Sequence, residues 1–391
     1  ARYAQLLSVI CICDECDSYP FVLQFLTSIA PMMLTTLDSH KESPLIVEVT
    51  LSAFLAAFQT YHIYLNLENG INPLIALITL HCQSQSTEAI IERSIQVLTE
   101  IVTSCDPNNP ESPITSILQS LMNFISMLYN RPDFAQSYYT NAFYILKEAI
   151  VKHVHHETQL EFISNYLTQT NKLLDTIPNE LVQSGEIHVI AAIVSRFAQE
   201  LKENALVIAD KLVHKLNSQA TSITEECLSS FITVITSLGE NSVAFLPQLK
   251  EQLAIAYQSN SPEIIIRVNQ VIGHLFVITN DQMNDILELA ITSILQQLQF
   301  LNSDAEGSLL FREQINTLLI PLSQILQSIS VQELAENVRD RLFPEFCGVL
   351  SMYTAERGPF KDDFDLQNTV LEGVLKGFGA VIIASRWNTT Y

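Results

Sequence analysis

The residues whose types could carry chemistry fall in three short clusters. Cys11, Cys13 and Cys16 offer soft metal ligands at close spacing. A structural zinc site needs four such ligands in a tetrahedron, whereas on a helix positions 11 and 13 point to different faces and no fourth ligand is near in sequence. Buried and turn cysteines are therefore expected. His153, His155, His156 and Glu157 could also hold a metal ion, but they fall at a helix-to-helix junction, where solvated histidines in a structural turn are expected. Gly373, Gly377 and Gly379 lack the strand-turn-helix setting in which backbone N–H groups cradle phosphate, so close helix packing is expected there. No nucleophile, base and orienting group assemble from neighbouring sequence. The chain is not expected to be an enzyme, and no cofactor or metal is expected.

The residues that remain informative are charged and apolar ones at helical spacing. The chain carries 20 Lys+Arg against 42 Asp+Glu, a formal net charge of −22. Such a balance repels phosphate backbones, so direct nucleic-acid binding is not expected, and it favours basic partners; it also keeps a long chain soluble. Glu48, Glu92, Glu100, Glu225, Glu226 and Glu263 recur on one type of helix, the second of each pair. Once such an array curves, they would line one concave acidic surface; for any one of them a plain solvated helix face is the alternative.

These residues are positioned by a unit of one helix pair that recurs about every 40 to 50 residues. Its second helix reads Leu45 to Phe58, Ala89 to Val102, Phe143 to Val151, Cys227 to Gly239, Glu263 to Ile278, Leu309 to Leu326 and Leu366 to Ala384. Breakers recur at the same spacing, notably the segment Asp106 to Pro113 and Asn130-Arg131-Pro132-Asp133. At Ser259-Asn260-Ser261-Pro262-Glu263 the spacing predicts Ser261 as N-cap and Pro262 at the first helical position. Gly239 reads as a C-cap, and Pro31 as a kink in the helix from Phe21 to Leu37. No hairpin signal appears among only 10 glycines. The fold expected is all-α, a right-handed α-solenoid of HEAT-type antiparallel helix pairs. It should run through residues 1–391 as one continuous array of about eight pairs behind a leading half repeat at Arg2 to Cys13.

Seven unevenly spaced cysteines argue against a disulfide framework, and so for cytosol or nucleus. No stretch has the roughly 18 to 20 uninterrupted apolar residues needed to cross a bilayer, so membrane insertion is not expected. The start at Ala1-Arg2-Tyr3, without Met, suggests a piece of a longer protein.

Pro262 to Val268 leading to Val271-Ile272-Gly273-His274-Leu275 resembles the second helix of a HEAT repeat, with Arg267 near its start; Arg93 and Arg312 sit similarly. Arg131-Pro132-Asp133 followed by Tyr139 to Lys152 is similar to the Arg-Pro-Asp turn and next helix of the importin-β (karyopherin-β) family. Arg2-Tyr3 with Leu7 to Ile10, Asn204 to Asp210, Thr224 to Leu228, Gly239 to Leu249 and Leu371 to Phe378 match that family in order. The resemblance spans roughly the C-terminal half of an importin-β. The chain departs from the family in that Trp387 is its only tryptophan, and Glu48-Val49-Thr50 stands where the family has Arg-Asp followed by tryptophan.

The resemblance implies a nuclear transport receptor, cytoplasmic, nuclear and at the pore of the nuclear envelope. Basic cargo or an importin-α-like adaptor would bind the acidic concave face, and nucleoporin phenylalanine-glycine repeats the convex side. Leu287, Leu289, Ile294 and Leu298 are the candidate repeat-binding residues, most of them expected to be ordinary core, and Ran GTPase would be met through the absent N-terminal half. A static HEAT scaffold, of a phosphatase- or chromosome-associated type, is the alternative that shares every periodicity. Arg267 is expected to pair with an acidic side chain or a helix-terminal carbonyl at a seam between repeats.

Overall fold

A computed structural model describes residues 2–15, 20–39, 43–61, 71–83, 87–106, 113–128, 136–154, 160–177, 179–217, 220–259, 261–301, 315–328, 332–354, 368, 371–377 and 379. Among them the backbone is helical apart from short turns and contains no strand. The chain divides into two compact units, Ala1–Ile193 and Val194–Tyr391.

In the first unit the helices are α1 (Arg2–Glu15), α2 (Pro20–Ser39), α3 (Pro44–Tyr61), α4 (Ile71–Gln83), α5 (Glu88–Ser104), α6 (Pro113–Leu128), α7 (Gln136–His153), α8 (Leu160–Leu173) and most of α9 (Glu180–Phe197). They stack in two layers. Odd-numbered helices pack α1 on α3, α3 on α5 and α5 on α7, even-numbered ones α2 on α4 and α4 on α6, and α2, α4 and α6 each also pack on the odd helix that follows. This is the HEAT-type antiparallel pair repeated.

The reason is legible in α5, whose buried residues Ile90, Ile91, Ser94, Ile95, Val97, Leu98, Ile101 and Val102 form a stripe far wider than one contact requires. A helix flanked by like helices on two sides and by its partner on a third must be apolar around most of its girth. Glu88 in the first turn of α5, and Lys152 with His153 in the last turn of α7, complement the helix dipoles. Asn179 caps α9, its Oδ1 accepting the N–H groups of Leu181 at 2.9 Å and Val182 at 3.3 Å.

The second unit takes the end of α9 and continues with α10 (Lys202–Lys215), α11 (Thr221–Leu238), a 3₁₀ segment Gly239–Phe245, α12 (Leu246–Ala256), α13 (Pro262–Thr279), a 3₁₀ segment Asn280–Met283, α14 (Asn284–Leu301), α15 (Ile315–Ser328) and α16 (Gln332–Thr354). The layering repeats, with α11, α13 and α15 in one layer and α10, α12, α14 and α16 in the other. Gly239 closes α11 at φ +54°, a left-handed conformation that glycine adopts without Cβ strain, as expected of a C-cap. Ser261 caps α13 by accepting the Ile264 N–H, and Pro262 opens the helix. Pro31 lies inside α2, and α15 and α16 likewise contain Pro321 and Pro344.

Gly273 lets α13 and α15 touch closely. A Cβ there would lie 2.8 Å from the Pro321 Cα and 2.5 Å from the Gln324 Oε1. A Cβ on Gly379, by contrast, would meet nothing within 4 Å among the described residues, so they do not bear out close packing at that position.

Candidate partner-binding faces

Glu48 lies on α3, Glu92 and Glu100 on α5, Glu225 and Glu226 on α11, and Glu263 on α13, each a helix of the odd-numbered layer of its own unit. In the first unit Glu92 is exposed and accepts the Gln96 side-chain N–H at 3.3 Å, while Glu48 and Glu100 are half-buried. The Ser104 hydroxyl donates to Glu100.

In the second unit the first turns of α11 and α13 lie side by side and bring Glu225 to Glu263. Burial, and secondarily the Glu263 charge, raise the Glu225 pKa, and the nearby Arg267 partly offsets this. Glu263 accepts the Ser261 hydroxyl at 2.8 Å, and Glu226 accepts that of Ser230 at 2.8 Å. Two carboxylates of neighbouring repeats thus share one face at the entry of their helices. Electrostatically this face suits a cation.

Among the described residues Arg267 does not make the expected hydrogen bond to a carboxylate or helix-terminal carbonyl, although its charge acts on Glu225 of the neighbouring helix. Arg267 is exposed and donates to Gln270 Oε1 at 3.0 Å on its own helix, as Arg93 donates to Gln96 at 2.8 Å. An i, i+3 amide satisfies the guanidinium locally, so the arginine need not reach across the seam. Arg312 and the Arg131-Pro132-Asp133 turn lie outside the described residues.

Of the four candidate apolar residues on α14, the fold buries three: Leu287, Ile294 and Leu298 are 3%, 0% and 0% exposed and belong to the core. Leu289 is 46% exposed. It lines a cavity of ≈ 430 Å³ together with Tyr257 at the end of α12, Pro262 and Ile265 in the first turn of α13, and Thr292, Ser293, Gln296 and Gln297 of α14. The cavity therefore opens where the end of α12 and the first turn of α13 face α14, with an apolar wall largely on α13 and a polar side on α14.

Polar bonds join α14 to the even-layer helices on either side of it. Lys250 of α12 pairs with Asp285 of α14 at 2.6 Å, and Arg341 of α16 with Glu288 of α14 at 2.8 Å. The Arg341 hydrogen bond lowers the Glu288 pKa. Sequence reading missed Tyr257, Ile265, Ser293 and Gln297; the only local trace was Ser293 and Gln297, two polar residues spaced four apart on the buried side of α14.

The metal-ligand candidates do not converge. Cys13 is buried and Cys11 exposed, Cys16, His155, His156 and Glu157 lie outside the described residues, and no group of three or more metal-ligating side chains occurs among the described ones. His153 is not the solvated turn histidine expected. It is 1% exposed, and its Nε2 donates to the Val102 carbonyl at 3.1 Å, tying α7 to the end of α5. His81 does the same between α4 and α2, donating to the Leu37 carbonyl at 2.9 Å. Burial pushes the thiols of Cys105 and Cys227 up to about 11 and about 12. No helix among the described residues is long and apolar enough to cross a membrane.

No family model matches the chain, and no curated protein matches it. Solved structures match in fold. A crystal structure of importin β aligns over 98% of this chain and 47% of its own, with TM-score 0.73 and 14% identity. Kap95 in its complex with Nup1 aligns over 98% of this chain and 44% of its own, with TM-score 0.70 and 15% identity. Kap121p bound to Pho4p aligns over 98% of this chain and 43% of its own, with TM-score 0.51 and 11% identity. The chain spans about half the length of the solved chains it is similar to. Its fold is that of the importin-β solenoids.

Proposed function

We propose that the chain is part of a nuclear transport receptor of the importin-β kind, one that grips a basic protein through its odd-layer acidic face and disordered nucleoporin repeats through its even-layer seams. The observation that carries this reading is the pairing of a carboxylate site with an apolar slot in the second unit. Glu225 and Glu263 sit together on adjacent odd-layer helices, and the apolar cavity at Leu289 opens where the start of α13 meets α12 and α14 of the even layer. A carboxylate pair that raises its own charging cost gains from a cation, and a slot between helices takes one apolar side chain of a flexible chain weakly and reversibly.

The fold supports the same reading. Solved proteins with this solenoid include Kap95 in complex with Nup1 and Kap121p bound to Pho4p. One continuous array over residues 1–391, shuttling between cytoplasm and nucleus, and a Ran contact made by sequence outside this chain are parts of this proposal. With Leu287, Ile294 and Leu298 in the core, the repeat-binding role falls to Leu289 and the residues around its cavity. A static scaffold would share the pairs and the layers but would have no use for an open apolar slot at a seam.

The test is capture of the purified chain on immobilised nucleoporin phenylalanine-glycine repeats. Retention of the wild-type chain, and its loss in Leu289→Glu with helix content unchanged, is the expected outcome. No retention of the wild-type chain removes the transport reading in favour of the scaffold.

A further inference from the structure

The polar side of the cavity is a buried hydrogen-bond network with one acceptor to spare. The Tyr257 hydroxyl donates to Asn269 Oδ1 at 2.6 Å, and the Asn269 side-chain N–H reaches Ser293 Oγ at 3.5 Å. The Gln297 side-chain N–H reaches the same Ser293 Oγ at 3.4 Å. Gln297 Oε1 has no partner, although the residue is only 4% exposed and forms part of the cavity wall. A buried carbonyl oxygen without a donor costs free energy that a suitable ligand recovers. The last torsion of a glutamine side chain has a broad well, so a turn of its amide presents that oxygen to the cavity at the cost of the long 3.4 Å contact to Ser293 Oγ.

We propose that this cavity takes an aromatic side chain bearing its own hydrogen-bond donor, a tyrosine from an extended, lysine-flanked partner peptide, in preference to phenylalanine. The ring occupies the apolar wall of Pro262, Ile265 and Leu289, and the hydroxyl donates to Gln297 Oε1. Phenylalanine fills the same wall but leaves the acceptor unmet. Basic flanks follow from charge: the chain carries −22, and Glu263 stands in sequence between the lining residues Pro262 and Ile265. The proposal rests on the reading that even-layer seams receive apolar peptide side chains, and it gives this seam a side-chain preference of its own.

The experiment is fluorescence anisotropy on the full 391-residue chain with two labelled, lysine-flanked peptides that differ only in tyrosine-glycine against phenylalanine-glycine. The tyrosine peptide is expected to bind about three- to tenfold tighter, the worth of one net hydrogen bond. Gln297→Met keeps the bulk and removes the acceptor, so the preference should vanish while the phenylalanine peptide binds as before. Ser293→Ala, which disturbs the network without touching the apolar wall, should narrow the preference and serves if the first variant unfolds. Equal affinities, or a preference for phenylalanine in the wild-type chain, overturn this inference and leave the seam as a docking site. Binding of neither peptide overturns the docking site as well.

Discussion

The Glu186 carboxyl is 1% exposed, accepts the Tyr166 hydroxyl at 2.5 Å, and is driven by burial from 4.5 up to about 8. The folded chain therefore holds a proton that the unfolded chain releases above about 4.5. Stability from this site is fully present below that value and is lost progressively as pH rises towards about 8, by up to about 1.4 kcal/mol per pH unit. Glu186→Gln keeps an acceptor for Tyr166 and has no proton to lose. The variant should gain on the wild-type chain in urea midpoint between pH 5 and pH 8; parallel pH profiles would show that Glu186 is not buried neutral. At Gly273 the neighbour of an added methyl is the Pro321 backbone, which cannot move aside as a side-chain tip can. Gly273→Ala should destabilise by about 1–3 kcal/mol through overpacking, read by chemical denaturation. An unchanged midpoint would mean that α13 and α15 stand further apart than described.

At the scale of the element, what could be read in advance depended on whether the signal was local. Ser261, Pro262 and Gly239 act on their own helix ends, and their roles follow from residue type and position alone. Ser261→Ala should cost about 0.5–2 kcal/mol, measured by thermal unfolding, because the N–H of Ile264 loses its acceptor. No loss would reassign the start of α13 to Pro262 alone. The helix pairs themselves were legible because a helix covered on three sides must repeat apolar residues around most of its circumference. That same breadth hid the answer within α14: Leu287, Leu289, Ile294 and Leu298 belong to one wide stripe, and only the neighbouring helices decide that Leu289 is the edge left uncovered. The buried staples of His81 and His153, each made to a carbonyl more than 40 residues away in sequence, left no local trace. Arg267 departs from expectation for the opposite reason: its hydrogen bond goes to the amide three residues on, while only its charge reaches Glu225 across the seam.

For the whole molecule, the charge of −22 sets how partners approach. Attraction over more than about 8 Å is screened at physiological ionic strength, so affinity for a basic peptide should fall steeply as salt is raised, chiefly through a slower association rate. Stopped-flow measurements at low and high salt check this, and salt-independent association would favour apolar docking. The fold is that of importin-β solenoids, and the central claim is that its two helix layers carry two separate partners. The most direct measurement compares both ligands on one variant, the chain with Glu92, Glu225 and Glu226 changed together to Gln. The account predicts that calorimetric binding of a basic cargo peptide weakens severalfold while nucleoporin-repeat binding and helix content stay as in the wild-type chain. Equal loss of both activities, or unchanged binding of the basic peptide, would contradict it.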